Sequence, residues 1–213
     1  MIERELSIDG CRIVVWRIDE DEEHLAEKCA VQGISTADIS AIGNCGCLRQ
    51  KMAVRLAIAH LVDGGFTLRH TDEGAPEIDG IAGLSISHSR NYAAVAIADR
   101  AGIGVDVEEY SPRVLRVRSR FLSQSEAELI AQDEIHRHIL AWTVKEAVYK
   151  ALPIAGIDFA EGLTLGFDSD GNIDTASALG MECRVSSIAT DNYTLTLAIK
   201  KKVIQIKRND KEI

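Results

Sequence analysis

Residues 102–108 read GIGVDVE, a β-branched run interrupted by two acids, and this stretch constrains the fold more than any other. In an extended strand, side chains two apart project to the same side. Asp106 and Glu108 therefore stand side by side, roughly 7 Å apart along the chain. Two like charges held that close repel unless something positive lies between them. Further along, residues 142–150 read WTVKEAVYK and predict a helix. Trp142, Glu146 and Lys150 are four apart, so they fall within an arc of about 80°. Taken alone, that face is an amphipathic helix with an ordinary i,i+4 pair. Beside the Asp106/Glu108 pair it becomes a third oxygen donor on a rigid element, and three such donors suit a hard divalent cation.

The rest of the chain bounds what such a site can belong to. Its 213 residues suffice for one large domain or two small ones, with a core in either case. Net charge is −9, which argues against broad nucleic-acid or membrane-surface binding. No apolar run is long enough to cross a bilayer. The opening MIERELSIDG is acidic and polar where a secretion signal is basic and then apolar, so a cytoplasmic protein is expected. The five cysteines are odd in number and scattered, with Cys45 and Cys47 in a CxC rather than a CxxC; reduced thiols are expected.

Taken in order, residues 11–19 predict a strand, 19–31 a short helix, and 44–62 a long helix closed by Gly64 and Gly65. Arg49, Lys51 and Arg55 project from that long helix, either as a solvated face or as a row facing an anion. Residues 74–83 predict a loop, and 84–89 and 92–98 two strands joined by a tight turn. His88 ends the first of these between Ser87 and Ser89, with Arg90 following, a setting that favours an anion contact over a structural histidine.

The second half repeats that order. After the GIGVDVE strand come a helical stretch at 112–122 with Pro112 at its first position, and a capping box at Ser123–Glu126. A helix at 136–152 follows, then strands at 163–168, 182–189 and 192–200. Asp170-Gly171 predicts a hairpin turn between the first two of these strands. His136 and His138 point about 200° apart on a helix, cannot share a metal, and are expected at the surface. The fold class expected is α+β: two similar lobes related by a pseudo-twofold, each a small, largely antiparallel sheet packed with helices. Residues 1–101 form the N-terminal lobe, 102–200 the C-terminal lobe, and 201–213 a charged tail.

A metal held by three carboxylates keeps coordination free for phosphate oxygens, and nearby lysines would neutralise charge on a phosphoryl group in transfer. A carboxylate at its rim could take a proton from an attacking hydroxyl. No Walker A, GxGxxG, HExxH or GxSxG pattern is present. The residues alone therefore predict magnesium-assisted transfer to or from a phosphate ester, with a nucleotide phosphodiesterase or pyrophosphatase as the other reading.

At these residues the chain resembles the 4′-phosphopantetheinyl transferase superfamily. Gly104–Glu108 and Trp142–Lys150 look like its two signature motifs, and Ser87-His88-Ser89 like its SHS element, in the family's order and spacing. The length and repeated element order resemble its two-lobed monomeric type. The resemblance implies an enzyme that moves the 4′-phosphopantetheine arm of coenzyme A to a serine of an apo acyl or peptidyl carrier protein, releasing 3′,5′-ADP. It implies Mg²⁺, with Mn²⁺ as an alternative, on Asp106, Glu108 and Glu146. Glu146 or a metal-held water would be the base, and Lys150 would act on the phosphoryl group. Arg49, Arg55, Ser87, His88 and Lys145, together with Lys150, would contact coenzyme A.

One position departs from the family pattern. Ala75 stands between Gly74 and Pro76 where the family has a basic residue. This leaves open a catalytically weak or inactive member that only binds coenzyme A and the carrier, although Arg69 or Arg90 could supply the missing charge. Arg113, Arg116, Arg118 and Arg120 offer a basic segment to an acidic carrier, or simply a solvated one.

Overall fold

The strands assemble into two antiparallel sheets in the computed structural model, which describes residues 1–154 and 156–202. Numbered along the chain, the strands of the first half are β1 (Ile2–Ile8), β2 (Cys11–Arg17), β3 (Arg69–His70), β4 (Pro76–Glu77), β5 (Gly83–His88) and β6 (Tyr92–Ala98). Those of the second are β7 (Ile103–Glu109), β8 (Leu163–Phe167), β9 (Ile173–Ala178), β10 (Met181–Ala189) and β11 (Tyr193–Lys200). One sheet runs β1-β2-β6-β5 and the other β7-β11-β10-β9-β8, while β3 and β4 pair by themselves. The helices are α1 (Glu22–Val31), α2 (Cys45–Leu61), α3 (Val114–Val117), α4 (Gln124–Glu128) and α5 (Ile135–Ala151). The architecture is α+β, with antiparallel sheets packed by helices. Among the described residues no helix is long and apolar enough to cross a membrane.

Alternation along the central strands sorts the layers. Ile13 and Val15 of β2, Ala94 and Ala96 of β6, Val105 and Val107 of β7, and Leu195 and Leu197 of β11 share one core between the two sheets. Val14, Trp16, Ala93 and Val95 face the other way onto α1 and α2. In the second sheet the outer face belongs to α5, whose Val144, Ala147 and Val148 pack with Leu163, Leu165 and Cys183. The order is therefore helix, sheet, sheet, helix.

The two sheets also meet along their edges. β5 ends the first sheet and β7 begins the second, and an edge strand leaves backbone N–H groups unpaired. Here serine hydroxyls satisfy them: Val105 N donates to Ser85 Oγ at 2.9 Å and Val107 N to Ser87 Oγ at 3.3 Å. Across β7, α5 comes very close. A Cβ on Gly104 would lie 1.9 Å from the Ala147 carbonyl oxygen, so only glycine lets the helix lie down on the strand.

Some elements differ from the sequence expectation. β1 was not foreseen: its IERELSI side chains are nearly all solvent-facing, so it lacks an apolar alternation. It pairs with β2 through an Asp9-Gly10 turn, with both residues at positive φ. β9 was missed as well, and the Asp170-Gly171 turn joins β8 to β9 rather than to the 182–189 strand. The 112–122 stretch is a four-residue α3 followed by a 3₁₀ turn at Arg118–Arg120. Pro112 lies before it rather than at its first position, and Arg113 at the cap supplies no side-chain hydrogen bond. The loop expected at 74–83 contains the short β4. The tail expected at 201–213 lies outside the described residues beyond position 202.

Candidate active site

β7 and α5 bring the acids together. Asp106 and Glu108 leave β7 on the side that α5 covers, and Trp142, Glu146 and Lys150 share one face of the helix above them. All five line a cavity of about 570 Å³, together with Arg55, Ser87 and His88. Its walls come from both sheets and from α2.

Asp106 is buried, and its Oδ1 accepts from Ser87 Oγ and from Lys150 Nζ, both at 2.7 Å. Lys150 thus pairs across to the strand and not with Glu146 along its own helix. Asp106 Oδ2 is buried with no hydrogen-bond partner. Glu108 Oε1 accepts from the Trp142 indole at 3.2 Å. Burial, then the neighbouring charge of Asp106, pushes the Glu108 carboxyl up to about 7. Glu146 is raised by the same two causes in the same order. His88, an exposed residue whose ring faces the cavity walls, is lowered chiefly by loss of water around that ring.

This donor set fits a hard cation in its chemistry. It leaves one buried carboxylate oxygen without a partner and two carboxyls raised first by burial and then by the charge of Asp106, a setting that a cation would relieve. The acids do not converge as they stand: among the described residues no three acidic, histidine or cysteine side chains are arranged to hold a metal ion. Asp106 Oδ1 is taken by Lys150 and Ser87, and Glu108 Oε1 by Trp142.

Of the residues expected to touch coenzyme A, Lys145 and Arg49 lie away from the cavity, while Ser87 lines it and also bonds to Asp106. Lys145 is fully buried on the far side of α5. Its Nζ donates to Glu126 Oε2, Phe159 O and Leu163 O, each at 2.7 Å. The step from 145 to 146 turns the helix by about 100°, so Lys145 leaves the face that Glu146 occupies. Arg49 does not line the cavity and reaches only the Glu20 carbonyl at 3.5 Å. The Ser87 hydroxyl hydrogen is committed to Asp106, which makes Ser87 a support for that acid. Arg55 does line the cavity, with a charge shared by Asp38 Oδ2 at 2.5 Å.

Lys51 and His70 also line the cavity. Lys51 was visible as part of the row on α2. His70 was not, because a lone histidine in a polar stretch carries no periodic signal. Arg69 is paired to Asp79 outside this cavity, and Arg90 is likewise not among its walls. His138 corrects an expectation, being buried with Nδ1 against Glu134 O at 2.9 Å, while His136 is exposed and stacks on Tyr110.

Two clamps fix the His88 turn: the Gln50 amide donates to Ser89 O at 2.7 Å, and Asn91 gives its backbone N–H and side-chain amide to the two oxygens of Glu109.

A family model, that of the 4′-phosphopantetheinyl transferase superfamily, matches residues 102–210, a span that holds all three acids and Lys150. No curated protein matches the chain.

Proposed function

Because the chain belongs to the 4′-phosphopantetheinyl transferase superfamily, we propose that it transfers the 4′-phosphopantetheine arm of coenzyme A to a serine hydroxyl of an apo acyl or peptidyl carrier protein. The observation that carries this reading is the single cavity in which Asp106, Glu108, Glu146 and Lys150 face Lys51, Arg55, His70 and His88. The acids come from β7 and α5, and the basic groups other than Lys150 come from α2, β3 and β5, with Asp38 beside Arg55. A nucleotide with a 3′-phosphate and a pyrophosphate suits that arrangement once a cation joins the acids. We further read the halves 1–101 and 102–200 as two lobes of a monomer with the nucleotide between them.

Asp106, Glu108 and Glu146 would hold Mg²⁺, or Mn²⁺ on the same oxygen donors, and when bound the ion would supply positive charge to the pyrophosphate. Lys150 moves its ammonium from Asp106 to the phosphoryl group. The serine oxygen bonds to the phosphorus that carries the pantetheine ester, and the anhydride P–O bond breaks to release 3′,5′-ADP. Glu146, which burial makes more basic than an ordinary carboxylate, takes the serine proton. His88, Lys51 and His70 face the 3′-phosphate. The exposed Arg113, Arg116 and Arg120 steer an acidic carrier towards the cavity.

The test is a mass-shift assay of the protein with Mg²⁺, coenzyme A and several apo carrier domains. The expected result is addition of the phosphopantetheine arm, reduced on the order of 10²-fold or more in Asp106→Ala and Glu146→Ala. Release of 3′,5′-ADP without an acceptor, with no mass gain on any carrier, would overturn the reading.

A further inference from the structure

We propose that Asn91 and Glu109 are positioning residues. With Gln50 they hold the α2 and β5 side of the cavity at a set distance from the β7 side, so that one nucleotide meets both, through its 3′-phosphate and its pyrophosphate. This rests on the reading of that cavity as the coenzyme A site.

The seam between the two sheets lies where β5 meets β7, and its bonds follow the alternation of β7. Asp106 and Glu108 line the cavity, while the residues between and after them are tied to the first half of the chain. Val105 N and Val107 N donate to Ser85 Oγ and Ser87 Oγ of β5. By the next odd position β5 has ended at His88, and the tie passes to side chains. Glu109 Oε2 accepts from Asn91 N at 2.9 Å, and Glu109 Oε1 accepts from Asn91 Nδ2 at 2.6 Å. Both bonds end on a carboxylate, the stronger kind of hydrogen bond. Successive side chains of a strand point to opposite faces, so a tie at Glu109 fixes the backbone of Glu108 and leaves the Glu108 carboxyl to the cavity.

Ser89 and Asn91 belong to the turn between β5 and β6, directly after His88. Gln50, the α2 residue beside Lys51, donates its Nε2 to Ser89 O at 2.7 Å. Lys51, His88 and Glu108 line the cavity, whereas Gln50, Ser89, Asn91 and Glu109 do not. Each of the three lining residues is thus the chain neighbour of a tying one. The ties stand one residue behind α2, the end of β5 and β7, and join them without touching what the cavity holds. Asn91 is exposed and Glu109 half-buried, a setting in which such bonds add little net stability. What they set is the span from His88 and Lys51 to Glu108.

Titration calorimetry on the full chain with Mg²⁺ tests this, comparing coenzyme A with dephospho-coenzyme A, which lacks the 3′-phosphate. The unaltered protein is expected to prefer coenzyme A. Asn91→Asp sets two carboxylates against each other and should cut that preference about tenfold, while dephospho-coenzyme A binds as before. Glu109→Gln keeps one acceptor and should cut it less. Asn91→Asp combined with Glu109→Gln exchanges amide and carboxylate across the pair, and should restore the preference to within about twofold. A preference unchanged in Asn91→Asp, a parallel weakening of both ligands, or no recovery in the double substitution overturns the inference and leaves the coenzyme A site standing. Equal binding of the two ligands by the unaltered protein removes the 3′-phosphate contact at His88, and the inference with it.

Discussion

Two acidic sites among the described residues of the second half, one buried around Glu126 and one half-buried around Asp106, are built on opposite principles. Glu126 is 3% exposed and fully satisfied: Oε1 accepts from Leu165 N at 2.8 Å, and Oε2 from Ser123 N at 2.9 Å and Lys145 Nζ at 2.7 Å. Every group there has a fixed partner, and the site joins α4, α5 and β8. The Asp106, Glu108 and Glu146 cluster lies across α5 from it. It holds three acids against one ammonium, leaves Asp106 Oδ2 unpaired and keeps Glu108 at about 7. A closed ion pair rigidifies, whereas an open one is a site waiting for charge. Unresolved local conflict of that kind is expected where a fold carries function.

Breaking the closed site should have the largest effect on stability. Lys145→Met leaves the Glu126 carboxylate buried without its cation, which costs on the order of 3–5 kcal/mol. A fall of that size in the urea unfolding free energy is expected, with much of it recovered in the double substitution Lys145→Met/Glu126→Leu. Were Lys145 instead a ligand contact, Lys145→Met would keep its stability and lose only coenzyme A affinity.

The open site should respond in the opposite direction. The Glu108 carboxyl is raised from 4.5 to about 7, so the folded state binds the proton more tightly than the unfolded state. Its contribution to stability is complete below pH 4.5 and is lost as pH rises through about 7. Glu108→Gln removes that loss and should stabilise the metal-free protein at pH 8 by up to about 3 kcal/mol, with almost no effect at pH 4. Mg²⁺ should raise the thermal midpoint of the unaltered protein more at pH 8 than at pH 5, because a protonated acid is a poor ligand. A midpoint that ignores Mg²⁺ at pH 8 would remove the metal from the proposal.

The contrast also explains how much of the site was legible beforehand. A period of 3.6 placed Trp142, Glu146 and Lys150 on one face, and a period of 2 placed Asp106 with Glu108; both hold in the structure. The capping box was readable too, since Ser-x-x-Glu is a local pattern. What failed was direction around the helix for a single charged residue. Lys145 beside Glu146 reads as one more contact to phosphate, and nothing nearby in sequence announces that Glu126 and two carbonyls wait for it. His138 failed in the same way. β1 and β9 were lost because pairing through the backbone leaves little trace when neither face is strongly apolar.

The smallest effect sharpens the comparison most finely. Ser123 takes part in the closed site twice, through its N–H to Glu126 and through its Oγ, which accepts from Glu126 N at 3.3 Å. Ser123→Ala removes the second and keeps the first, so Glu126 remains paired to Lys145. The loss expected is that of a helix cap, about 1 kcal/mol. Carrier labelling per folded molecule should be unchanged, because the Ser123 hydroxyl bonds only to Ser125 and Glu126 N and Ser123 does not line the cavity. A larger loss, approaching that of Lys145→Met, would mean that the hydroxyl, rather than the buried ion pair, sets the position of Glu126. The stability assigned to the pair would then belong to the capping box instead.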